Sequence, residues 1–367
     1  MTDVIDCDIP EAVRSLENLI REGFENPEGT SGKVQFYITT ESLRIPMAVC
    51  FVEQNLTVSH SAIDRPDSTL TMPIQTAQLI IKNVTDVDYR DPDIIGNIKI
   101  EGELDLINQV AKSLLRPSND TLERFGYAQN RNAKSYSMNE IARVSNPTEL
   151  QILEAIAESR PIIITDLYTK VPVSDWSLER LVNDYRNVPL RVRSADQEET
   201  VAEFVNRITS TELDSNKIIE GHTKAYTEGC SLPEEMHNDF LPNHFSLDDY
   251  IAPQIWLGSV PVDVPASSLH HDPLDGFLYQ ILGRKKLVLY SPDQAPYLYP
   301  MKAYNNYQPC WVKPEEPDYG KFPLFRKARS VEVTLNPGEL LVQPAGWFHA
   351  VYCLDSPTFS VSYFLRH

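Results

Sequence analysis

From residue 276 onward the chain is a succession of short apolar runs: FLYQILG, KKLVLYSP, SVEVTL, ELLVQP, HAVYCL and TFSVSYFL. Turn signals such as NPGE and PAGW divide them. Each run has strand length, and most are rich in β-branched or aromatic residues. Such closely spaced strands have to pair with one another, and a double-sheet barrel of the jelly-roll kind is the natural outcome. The stretch before them is helix-rich up to about residue 250. SNPTELQILEAIAESRPIIITDLY predicts a capped helix followed by a buried strand, and SDWSLERLVNDYRNVPLRVR predicts a second such unit.

The first 115 residues have a different texture. DIPEAVRSLENLIREGF predicts a helix with Asp8 and Glu11 at capping-box spacing and Pro10 in its first turn. Val13, Leu16, Leu19, Ile20 and Phe24 fall on one face of it. KVQFYIT, RIPMAVCFV, LTVSHSA and DSTLTMP predict strands; IQTAQLIIKN predicts a helix, IGNIKIEG a turn and short strand, and ELDLINQVAKSLL a closing amphipathic helix. Residues 116–145 are polar and weakly periodic, as expected of a connecting segment that lies on the next domain rather than swinging freely. At 367 residues the chain is long for a single core. The expected organisation is therefore an α/β domain over 1–115, a connector over 116–145 and a barrel domain over 146–367.

Within the barrel region, SSLHHDPLDG raises a question of chemistry. In an extended segment, residues i and i+2 share a side, so His270 and Asp272 face together while His271 points away. An imidazole and a carboxylate converging in this way supply two of the three groups of a facial triad. His349, in PGELLVQPAGWFHAVY, follows a strand-turn unit and is the candidate third ligand. Such a triad suits iron(II), although zinc also accepts imidazole and carboxylate donors. In GRKKLVLY, Lys285 alternates with Leu287 and Leu289 and so is predicted to point inward, where a lysine needs an anion. Arg284 and Lys286 then point to solvent. Tyr279, Gln280 and Trp347 are read as packing. Asp275 could meet a cationic substrate group, but accepting a backbone N–H in the turn is the favoured reading.

The barrel half resembles the jumonji-C branch of the iron- and 2-oxoglutarate-dependent oxygenases, a cupin-type double-stranded β-helix. Within that branch it is similar to the small hydroxylases that include the asparaginyl hydroxylase of hypoxia-inducible factor. The residues that carry the resemblance are PIIITDL, WSLERL, YRNVPLRVR, LHHDPLDGFLYQILGRKKLVLYSPDQ and LNPGELLVQPAGWFHAVY with FSVSYF. The resemblance implies His270, Asp272 and His349 as ligands of Fe(II), with 2-oxoglutarate and O2 as co-substrates. It also implies that Lys285 pairs with the 2-oxoglutarate carboxylate and that Ser267 supports it. Ser362 stands where the asparaginyl hydroxylase has an asparagine, as does Gly276, and the aromatic two residues beyond Ser362 is Phe364. Asparaginyl specificity therefore does not follow. The family's co-substrate tyrosine has no counterpart that can be placed from sequence. The chain ends at His367, so dimerisation through C-terminal helices is not expected.

The first 115 residues resemble the sterol carrier protein type 2 family, chiefly through DSTLTMPIQTAQLIIKN and IIGNIKIEGELDLINQVAKSLL. That family encloses an apolar tunnel, which implies a lipid or acyl ligand. Leu79, Ile80, Ile81, Leu106, Val110 and Leu115 could line such a tunnel, although an ordinary core is the favoured reading. The fold class expected for the whole chain is α+β.

Bulk properties narrow the function further. A net charge of −19 argues against nucleic acid as a partner, since binding a phosphate backbone calls for a basic face. The five cysteines form no CxxC pair, which speaks against a zinc knuckle or disulfide framework. No run is long and apolar enough for a membrane span, and MTDVIDCDIPEAV lacks the features of a secretory signal, so the expected location is cytoplasmic. The expected activity is hydroxylation of an amino-acid side chain, in a peptide or protein substrate. The alternatives are a small-molecule or carrier-bound amino acid, N-methyl demethylation, or a non-enzymatic lipid-binding or scaffold protein.

Overall fold

Alternating apolar side chains make Ser31–Thr39 and Arg44–Val52 an antiparallel hairpin in which Ser31 lies opposite Val52 and Thr39 opposite Arg44. The computed structural model describes residues 9–87, 92–132, 140–167, 170–190, 199–210 and 225–366. The chain forms two units, one made of Met1–Leu122 with Pro300–Trp311, the other of Glu123–Tyr299 with Val312–His367.

In the first unit the hairpin belongs to a five-stranded sheet. Its order is Asn55–Ser59, Arg44–Val52, Ser31–Thr39, Ser68–Pro73 and Lys99–Gly102, with Ser31–Thr39 and Ser68–Pro73 running parallel. Val34, Phe36 and Ile38 project from one face into a core with Val13, Leu16 and Ile20 of helix Glu11–Gly23. Phe24 closes that core against Phe51, their ring centroids 5.3 Å apart. The helix begins behind Pro10, which stands at its N-cap with no side-chain cap. Pro10 is thus one position earlier than expected, and Asp8 of the expected capping box lies outside the described residues. Ile80, Leu106 and Val110 are buried in this core, and Leu79, Ile81 and Leu115 pack against it. Pro300–Trp311 joins the unit through Glu25, whose carboxylate accepts the Lys302 N–H (2.6 Å) and the Trp311 indole N–H (3.2 Å).

The second unit is built on two sheets. The larger runs in the order Cys230–Ser231, Tyr250–Gly258, Thr358–Leu365, Gly276–Leu282, Leu340–Gln343, Ile162–Ile164 and Ala142–Val144. The other includes Pro265–His271, Phe348–Cys353, Lys285–Tyr290 and Val331–Leu335, adjacent in that order. Phe277, Tyr279 and Ile281 face a core that contains Ile152 and Ile156 of helix Glu149–Ala157 and Leu181 of helix Leu178–Tyr185. The opposite face contributes Leu278 to a second core between the sheets, with Leu287, Leu289, Val351 and Trp347. Burial on both faces accounts for the nearly continuous apolar runs of the sequence. Helix Glu149–Ala157 carries a full capping box between Thr148 and Gln151, and Leu178–Tyr185 is capped by Ser177. Of the strand expected at PLRVR, Pro189–Leu190 is present, and residues 191–193 lie outside the described residues.

Residues 116–145, expected to form a connector, contain helix Asn119–Asn132 and strand Ala142–Val144, and Pro300–Trp311, expected within the barrel domain, belongs to the first unit.

Candidate active site

The pairing of Pro265–His271 with Phe348–Cys353 sets His270 directly opposite His349, so both imidazoles leave the sheet on the same face. Asp272 follows at the strand end. Its carboxylate Oδ2 lies 3.8 Å from His270 Nε2 and 3.7 Å from His349 Nε2. One ligand atom from each of the three residues lies within 4.8 Å of the others. His270 Nδ1 is 2.7 Å from the Ser268 carbonyl, which can only accept, so Nδ1 carries a hydrogen and Nε2 is the ring nitrogen that faces the cluster. His349 Nδ1 lies 3.3 Å from the Trp347 carbonyl and 2.8 Å from the Gln343 amide nitrogen. Burial raises the Asp272 carboxyl above the ordinary aspartate range, with His270 opposing the effect. Burial also drives His349 well below the usual imidazole range, helped by the charge of His270. A neutral imidazole with a free Nε2 is the form that binds a metal. Two imidazole nitrogens and one carboxylate oxygen gathered this closely fit a divalent first-row metal such as iron(II) or zinc.

Lys285 occupies the same face of the same sheet. It pairs with Cys353, just as Leu289, two pleats further on, pairs with His349. At about 3.3 Å per residue the four-residue offset is about 13 Å along the strand. Lys285 is 1% exposed, and its ammonium donates to the Tyr226 hydroxyl at 3.0 Å. Among the described residues it has no ion-pair partner, and burial lowers it to about 8. The Trp256 ring centroid lies 5.8 Å from the same ammonium, and the Trp256 indole N–H donates to Ser362 Oγ at 2.9 Å. Ser362 is thereby joined to the Lys285 cluster by way of Trp256. Ser267 is half-buried opposite Val351, and the register shifts between it and His270. That bulge lets a residue three positions before His270 share its face.

Sequence reasoning misses Tyr226, Trp256 and Gln343. Tyr226 reaches the site because its segment bridges to Gly258 and because the Thr227 hydroxyl donates to Ile255 O and accepts from Leu257 N–H. These are pairings across about thirty residues, which no local pattern announces. Gln343 has one available signal, a polar residue ending the apolar run ELLVQ.

Arg284 forms an ion pair with Asp355 at 2.8 Å, and Lys286 lies over the Tyr352 ring, both away from the interior. Tyr279 is a core residue; Gln280 bonds the carbonyls of Leu282 and Gly283; the Trp347 indole N–H donates to Ser159 O at 3.0 Å. His271 points away from the cluster, between the rings of Phe125 and Phe348. Asp275 accepts the Ala345 N–H at 2.7 Å, as favoured, and it also holds Arg131.

A family model described as "Cupin-like domain" matches residues 147–367. The lysine-specific demethylase 8 of Danio rerio is 33% identical over 221 residues, 56% of this chain and 52% of that protein. The JmjC domain-containing protein D of Dictyostelium discoideum is 28% identical over 251 residues, 60% of this chain and 55% of that protein. The chain thus spans about half the length of these curated relatives. A crystal structure of sterol carrier protein 2 like 2 from Aedes aegypti aligns at 25% identity and a TM-score of 0.23, covering 28% of this chain and 94% of that one. With a cupin-like match over more than half its length and a two-sheet barrel carrying a His-Asp-His cluster, the chain belongs to the cupin-like, JmjC-type oxygenase family.

Proposed function

We propose that this chain is an iron(II)- and 2-oxoglutarate-dependent oxygenase that hydroxylates an amino-acid side chain of a peptide or protein. The observation that carries the reading is the pairing, on one barrel face, of the His270–Asp272–His349 cluster with a buried lysine that has no ion-pair partner among the described residues. His270, Asp272 and His349 hold the metal. Bound iron supplies oxygen insertion into a C–H bond, driven by O2 and decarboxylation of 2-oxoglutarate. Lys285 and Tyr226 bind the distal carboxylate of 2-oxoglutarate, and the enclosed setting strengthens that charge-assisted contact. Ser267 and Ser362 complete the co-substrate wall, Ser362 through Trp256. The net charge of −19 favours a peptide or amino-acid-derived substrate over nucleic acid. No helix among the described residues is long and apolar enough to cross a membrane.

The test is conversion of 2-oxoglutarate to succinate by the iron-loaded chain, with mass analysis of candidate peptides. The expected result is turnover that is lost in His349→Ala, with a product heavier by one oxygen atom. Turnover retained in His349→Ala contradicts the assignment. Release of formaldehyde from an N-methylated substrate moves the reading from hydroxylation to demethylation.

A further inference from the structure

The two turns that carry the cluster are tied to each other and to a helix that lies before the family match. Gly346 N–H donates to the Asp272 carbonyl at 2.9 Å, and Ala345 N–H donates to Asp275 Oδ1 at 2.7 Å. The turn after Asp272 and the turn before His349 are thus cross-bonded. The Asp275 carboxylate is 0% exposed, and Arg131 of helix Asn119–Asn132 grips both of its oxygens: Nη2 lies 2.6 Å from Oδ1 and Nη1 3.1 Å from Oδ2. The Arg131 side chain is itself only 7% exposed. The same helix touches the ligand segment a second time. The Phe125 ring packs 4.6 Å from the ring of His271, the residue between two candidate ligands, and Phe348, next to His349, flanks His271 at 4.2 Å.

We propose that Arg131 is a positioning residue for the metal centre. Through Asp275 it fixes the separation of the Asp272 turn and the His349 turn, which makes helix Asn119–Asn132 a working part of the catalytic unit. The physical reason is the geometry of a forked guanidinium on a carboxylate: two parallel hydrogen bonds fix orientation as well as distance. Removing Arg131 takes two charge-assisted hydrogen bonds from a carboxylate shut off from water, which loosens its hold on the turn that begins at Asp272. Metal affinity depends on such outer partners, whose loss typically weakens it by about 10- to 100-fold. The inference rests on the metal reading given above.

The experiment titrates Co(II) into the full-length wild-type chain, Arg131→Ala, Arg131→Lys and the double variant Arg131→Met with Asp275→Asn, and follows amide hydrogen exchange in each. The expected result is Co(II) affinity about 10- to 100-fold weaker in Arg131→Ala, with partial recovery in Arg131→Lys. Exchange quickens over 272–276 and 343–347 but not in the strands around Lys285. The double variant removes both charges of the Arg131–Asp275 pair, and its side-chain amide oxygen at position 275 still accepts the Ala345 N–H. It carries the test if Arg131→Ala does not fold, and it too is expected to bind Co(II) more weakly. Wild-type affinity in the folded variants, with unchanged exchange in the two turns, overturns the proposal. A wild-type chain that binds no Co(II) overturns the metal reading itself and this inference with it.

Discussion

Lys285 concentrates the chemistry of the site in one residue. Its amine is lowered to about 8 because burial disfavours the cation. It is therefore mainly cationic at neutral pH and ready to meet a carboxylate, and it loses that charge as pH rises past about 8. The dissociation constant of 2-oxoglutarate should accordingly be flat below that point and climb above it, approaching a tenfold rise per pH unit. Calorimetric titration over a pH range that brackets that point checks this, and Lys285→Ala should be weak and pH-independent throughout. Gln343 is a comparable case at the metal. A metal on His349 Nε2 requires the hydrogen on Nδ1, so the Gln343 amide must turn its oxygen rather than its nitrogen toward the ring, an end-for-end swap that leaves its shape unchanged. Gln343→Leu removes that acceptor and leaves the Trp347 carbonyl, 3.3 Å away. Metal affinity should fall about 10- to 100-fold, as read by Co(II) titration, with little change in melting temperature.

Strands and turns explain why part of this site is legible in the sequence and part is not. The period-two rule places His270 with Asp272 and puts Lys285 inside, because both statements need only a local extended backbone. Ser267 cannot be placed this way, since the bulge between it and His270 alters the count. Helix Asn119–Asn132 reads as a connector because its buried stripe is narrow: Thr121, Phe125 and Ala128 are buried, and Phe125 is the only large apolar side chain among them. The stripe ends at Arg131, a residue that no hydrophobic pattern counts. Tyr226 is invisible because its position depends on the backbone of a distant strand. Gly258 has φ near +131°, and a Cβ there would come within 2.0 Å of the Ala225 carbonyl oxygen. Gly258→Ala must therefore push the Tyr226 segment away from Lys285. The expected outcome is weaker 2-oxoglutarate binding, by about tenfold for loss of a hydrogen bond to a charged group, with metal affinity preserved. Parallel titrations of metal and co-substrate separate the two effects.

At the scale of the whole molecule, the second unit wraps one sheet in helices on its outer face, and the space between the sheets holds an apolar core of Leu278, Leu287, Leu289 and Val351 together with a few polar groups. Those groups fall at two stations on one strand face, the His-Asp-His cluster and the lysine, which suits a ligand carrying a chelating end and an anionic end. The first unit keeps its own core, into which Ile80, Leu106 and Val110 are packed. The central claim is that the two stations act together on one co-substrate. Anaerobic titration of the metal-free chain with iron(II) and then 2-oxoglutarate tests it most directly, read by the weak visible charge-transfer band of the chelate. The account predicts a band that forms only with both components, vanishes in Asp272→Ala and weakens in Lys285→Ala. Iron that binds without producing the band on addition of 2-oxoglutarate would contradict it.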